Sequence, residues 1–80
     1  MAVTVTKLKY LGEDAVVSAN DGTYVYLGFA NGNIARYTIA SAVLDSDFAH
    51  IDGRPISMTV YSGTLYVSTK SGALYSVTTS

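Results

Sequence analysis

The second half of this 80-residue chain repeats the first. When segments 22–37 and 63–77 are aligned with one residue gapped, Gly22 matches Gly63, Thr23 matches Thr64 and Tyr26 matches Tyr66. Leu27 then matches Val67, Gly32 matches Gly72 and Ile34 matches Leu74. The offset is 41 at the first glycine pair and 40 at the second. Upstream, Ala15, Val17 and Ala19 alternate as Ile56, Met58 and Val60 do, and Gly12 and Gly53 carry the register one turn further. A unit of about forty residues is too small to bury its own apolar face. It must stack on a copy of itself, which restricts the chain to repeat architectures.

Each unit is built of strands. Val, Ile and Thr supply 22 of the 80 residues and Tyr another seven, the side chains that suit a pleated surface. Asp21-Gly22, Asn31-Gly32, Asp52-Gly53, Ser62-Gly63 and Ser71-Gly72 read as tight turns. The runs between them are read as five to eight residues long, and none sustains a helical apolar period. The strands are expected at 3–11, 15–19, 23–30, 33–39, 43–51, 56–61, 64–69 and 73–78. Strands 23–30 and 64–69 offer bulky groups to both faces, the pattern of a sheet covered above and below. Charge collects in 3–11, with Lys7 and Lys9, and in 43–51, with Asp45 and Asp47. Both read as edge strands protected against wrong pairing.

Four strands per forty residues is the spacing of a β-propeller blade. The fold class is therefore all-β, with two four-stranded blades per chain: 12–52 as the first, and 53–80 as a second blade that lacks its outer strand. Segment 1–11 is the substitute strand. The advance from Tyr37 to Gly53 is 16 residues, and that from Val77 through the C-terminus and on from Met1 to Gly12 is 15. The termini thus behave as two halves of one connection. Two adjacent blades do not close a ring, so segment 1–11 is expected to complete a blade of a neighbouring subunit. Three copies give a six-bladed ring, and four copies give an eight-bladed alternative. A single-chain sandwich or barrel of eight strands is the competing architecture.

Segment 54–77 resembles the repeats of pyrroloquinoline-quinone-type propellers and, more loosely, WD-type blades; the resemblance runs along the chain twice. It implies a toroid of blades. The docking tryptophan of quinone-type blades is absent, since the chain has no Trp, and Arg36-Tyr37 and Ser76-Val77 stand where WD repeats carry Trp-Asp. The resemblance therefore carries over no quinone-contacting residue.

Composition narrows the function. A net charge of −1 with 14% charged residues offers no basic stripe for nucleic acid. Zero cysteines and one histidine leave no thiolate or His-based metal cluster and no ordinary catalytic triad. Asp45, Asp47 and Asp52 lack the glycine spacing and terminal Glu of an EF-hand loop. His50, at the end of a strand, is expected to serve as a structural hydrogen-bonding residue. No apolar run approaches the roughly 18 residues of a membrane span, and the start of the chain lacks signal-peptide anatomy. A soluble protein is expected. Tyr24, Tyr26, Tyr66 and Tyr75 are expected to pack between blades, and Tyr61 to be exposed.

The loop face of such a unit carries Glu13, Asp14, Asn31, Asn33, Asp52, Arg54 and Lys70, a mixture of both signs that is the candidate binding surface for protein or glycan. No cofactor or metal is called for. The expected function is that of a non-enzymatic, self-assembling binding or scaffold module. A symmetric structural assembly, engineered or fragment-derived and without ligand, is the alternative, and a small-molecule-processing propeller enzyme the least supported reading. With 49% of the chain apolar, a lone two-blade wedge would expose more apolar surface than a soluble monomer normally tolerates.

Overall fold

The computed structural model describes residues 3–8 and 14–79, which form seven strands and no helix. The strands are β1 (Ala15–Asn20), β2 (Tyr24–Phe29), β3 (Asn33–Thr38), β4 (Val43–His50), β5 (Pro55–Tyr61), β6 (Thr64–Thr69) and β7 (Leu74–Thr78). They make two antiparallel sheets in sequence order, β1-β2-β3-β4 and β5-β6-β7. Seven of the eight expected strands lie within a residue or two of their expected bounds. Residues 3–8 form no strand within the chain, and residues 9–11 of that expected strand lie outside the described residues.

The two sheets share one register at an offset of 40. Tyr24, Val25, Tyr26 and Leu27 pair with Thr38, Tyr37, Arg36 and Ala35. Thr64, Leu65, Tyr66 and Val67 pair with Thr78, Val77, Ser76 and Tyr75. The inner strands keep the same offset: Ala15 opposes Phe29 as Pro55 opposes Thr69, with an irregularity before Val17 and before Ser57. This corrects the alignment of Ala15, Val17 and Ala19 with Ile56, Met58 and Val60, which is one residue out. The glycines mislead because the two turns differ. Ser62 (φ 52°) and Gly63 (φ 80°) make a two-residue hairpin between Tyr61 and Thr64. In the first sheet the last pair is Asn20 and Val25, and the Asp21 carboxylate accepts the amides of Thr23 and Tyr24, each at 2.9 Å.

A one-residue slip turns every side chain to the other face. Val17 and Ala19 of β1 therefore point toward the second sheet, while Met58 and Val60 of β5 point back toward the first. The inner strands are apolar wherever they face each other, and that produced the false match at 41.

The core lies between the sheets. Tyr26, Ile34, Ile51, Leu65 and Val67 are buried, with Ala19, Tyr24, Phe48, Met58, Val60, Tyr75 and Val77 packed around them. Leaving water contributes roughly 1.5–3 kcal/mol for each large aliphatic chain buried. Gly28, inside β2, leaves room for side chains of β1 and β5. A Cβ there would lie 2.8 Å from Val17 Cγ2 and 2.9 Å from Met58 Sδ. Among the described residues no helix is long and apolar enough to cross a membrane.

Candidate interaction surfaces

One end of the two sheets gathers three turns into a hydrogen-bonded chain. The Phe29 carbonyl accepts from Gly32 N at 2.9 Å, and the Gly32 carbonyl accepts from Ile51 N at 2.9 Å. The Arg54 carbonyl accepts from Lys70 N at 3.0 Å, and Thr69 closes its own turn by accepting from Gly72 N at 3.0 Å. The Tyr75 hydroxyl donates to the Asp52 carbonyl at 3.3 Å. Gly32 and Gly72 hold φ of 94° and 93°, the left-handed conformation that a turn of this length requires of its last residue.

These turns bring Asn31, Asn33, Asp52, Arg54 and Lys70 to the same end, and Asp14 joins them where β1 begins opposite Phe29. Glu13 lies outside the described residues. Two side chains of the set are engaged in the fold. Asn31 Oδ1 accepts from Asn33 N at 2.9 Å, and Asn33 Nδ2 donates to the Ser46 carbonyl at 2.7 Å, bracing the irregular middle of β4. Asp14, Asp52, Arg54 and Lys70 are exposed, two anionic and two cationic. His50 is exposed, and its ring makes no hydrogen bond among the described residues, unlike the structural role expected of it.

A second surface is an apolar groove of about 680 Å³ on the outer face of the first sheet, lined by Val25, Leu27, Tyr37, Ile39 and Leu44. Residues Lys7 and Leu8 of the N-terminal segment close one side of it. Side chains alternate along a strand, so these positions face away from Tyr24, Tyr26, Ile34 and Arg36, which point into the core. The outer face of the second sheet presents Ile56, Tyr66 and Leu74 with relative exposures of 54%, 37% and 71%. Tyr24, Tyr26 and Tyr75 pack between the sheets as expected, and Tyr61 is exposed, but Tyr66 stands on this open face.

The outer edges of the two sheets differ in kind. β4 carries Asp45 and Asp47, and its register with β3 breaks between Ile34 and Arg36. Both devices discourage further pairing. The sequence of β7, Leu-Tyr-Ser-Val-Thr, has no charge, proline or register shift to protect it.

Sequence reasoning assigned Arg36 no role beyond marking a departure from the WD pattern. The structure places its guanidinium 4.2 Å from the ring centre of Tyr24 and 4.4 Å from that of Phe48, between the sheets. The available signal was a lone cation within Ile-Ala-Arg-Tyr, a run otherwise apolar on both faces.

No protein-family model matches the chain, and no curated protein matches it. Among solved structures, the chain is similar to the crystal structure of the computationally designed Ika4 protein, with a TM-score of 0.73 and 17% identity. The match covers 82% of this chain and 41% of that one, so this chain spans less than half of the designed protein's length. At this identity the likeness is one of fold, and it takes in more than a single sheet.

Proposed function

We propose that the chain is a non-enzymatic module whose activity is self-assembly. Copies join head to tail into a closed β-propeller, and residues 3–8 of each copy add a strand to β7 of its neighbour. The observation that carries this reading is the contrast between the two outer edges. β4 is protected by charge and irregularity, whereas β7 is open and regular. Residues 3–8 read Val-Thr-Val-Thr-Lys-Leu, an alternation suited to strand addition, and they have no strand partner among the described residues. Their approach beside the groove, through Lys7 and Leu8, puts them next to the face on which a neighbouring copy would sit.

Three copies make six blades, and four copies make the eight-bladed alternative. The likeness to a designed protein supports an engineered or fragment-derived symmetric assembly as the origin of the chain. A binding or scaffold role for protein or glycan at the loop end is supported by position, with Asp14, Asp52, Arg54 and Lys70 repeated around the ring. Native mass spectrometry tests the assembly: the expected species has three times the 8.5 kDa mass of the chain. A monomer at micromolar concentration overturns the reading. A deletion of residues 1–11 that still forms a soluble ring overturns the strand exchange.

A further inference from the structure

We propose that Tyr66 and Leu74 of one copy seat in the groove formed by Val25, Leu27 and Tyr37 of the next, repeating between copies the interface that joins the two sheets within a chain. The inference rests on the head-to-tail reading and identifies the residues of its joint. Its basis is the shared register. Inside the chain, Tyr26 and Ile34 of the first sheet are fully buried against Leu65 and Val67 of the second, with Tyr75 and Val77 beside them. The offset of 40 maps Tyr26 and Ile34 onto Tyr66 and Leu74. It maps Leu65, Val67 and Val77 back onto Val25, Leu27 and Tyr37. One partner set is exposed on the second sheet and the other lines the open groove on the first. The two outer faces thus carry the two halves of an interface that the sheets already make once. A contact that joins different faces of identical subunits propagates from copy to copy and forms a ring where its rotation closes, unlike a two-fold pairing of grooves.

The sequence also distinguishes the joint between copies from the joint within the chain. The inner strands bring Val17, Ala19, Met58 and Val60 to the internal interface, but the outward positions of the same strands are Ser18, Asn20, Ser57 and Thr59. Arg36, which braces the internal interface, has Ser76 as its counterpart. The joint between copies therefore depends on its middle strands, where Tyr66 and Leu74 are the large apolar groups.

Native mass spectrometry on Tyr66→Arg, Leu74→Arg and Leu27→Arg, with circular dichroism as the check on folding, tests this. Leu74 is 71% exposed in the single chain, so Leu74→Arg leaves the fold intact. Each variant is expected to raise the concentration needed for half-assembly by about tenfold or more, as truncation of an interface anchor does. Mixing Tyr66→Arg with Leu27→Arg is expected to give a one-to-one heterodimer and no ring, because the pair retains a single intact joint. Wild-type rings together with intact Tyr66→Arg and Leu74→Arg rings overturn the assignment of the joint and leave the ring standing. A wild-type monomer overturns the ring, and the joint with it.

Discussion

Arg36 Nη1 donates a 3.0 Å hydrogen bond to the main-chain carbonyl of Thr79, tying the middle of the first sheet to the end of the second. The same guanidinium lies between the rings of Tyr24 and Phe48. A planar cation fits such a slot, because its faces meet the negative faces of the rings while its edge donates to the carbonyl. Arg36→Ala is expected to lower stability by about 2–3 kcal/mol, the combined scale of a partly buried cation–π contact and a charged hydrogen bond. Arg36→Lys keeps the charge but not the plane, and should recover less than half of that loss. Urea unfolding at fixed protein concentration measures both.

Tyr26 stands beside this contact, its ring centre 5.7 Å from that of Phe48. Its side chain is buried, and its hydroxyl has no hydrogen-bond partner among the described residues. A buried hydroxyl without a partner costs about 1–3 kcal/mol of desolvation, and removing it removes that cost. Tyr26→Phe is expected to raise the melting temperature or leave it unchanged. A clear fall would show that the hydroxyl is satisfied in solution.

The strands and turns were legible because turn glycines and β-branched runs act locally, and seven strands fall where those signals place them. The gathering of Asn31, Asn33, Asp52, Arg54 and Lys70 at one end was legible for the same reason, since each sits in or beside a turn. The inner-strand register was not. Gly22 and Gly63 occupy different positions in turns of different type, so aligning them shifts Val17 and Met58 onto the same face when they point toward each other. Nor was the engagement of the Asn33 side chain, because its partner, the Ser46 carbonyl, is exposed to it by an irregularity in β4 that no residue pattern announces. Arg36 escaped for a related reason: its partners Phe48 and Thr79 lie 12 and 43 positions away in the chain.

Two turn glycines separate backbone strain from steric collision. Gly63 has φ of 80° and nothing within 4 Å of where a Cβ would stand. Gly63→Ala therefore carries the left-handed penalty alone, about 1–2 kcal/mol. Gly32, at φ 94°, has the Ile51 carbonyl oxygen against that position, the residue whose amide it also binds. Gly32→Ala adds the cost of moving that strand connection, for a total of about 3–5 kcal/mol. Chemical denaturation of the two variants should rank them in that order by at least about 1 kcal/mol.

The Asp21 carboxyl is held below its ordinary value of 3.8, first by the hydrogen bond from the Tyr24 amide and then by that from Thr23. A carboxylate whose folded pKa is depressed stabilises the fold fully above its unfolded pKa. That contribution is lost as pH falls through the lower, folded value. The β1–β2 turn should therefore weaken in acid and be indifferent to pH between 6 and 8, a window expected from the ordinary carboxylate range. Asp21→Asn keeps an oxygen acceptor for both amides but removes the charge and its titration. At pH 7 the wild type is expected to be the more stable of the two, because charged acceptors bind amides more strongly than neutral ones. The gap should close as pH falls below about 4. Melting temperatures of both proteins across that range measure it. A gap that is constant with pH would mean that the aspartate acts through turn geometry alone.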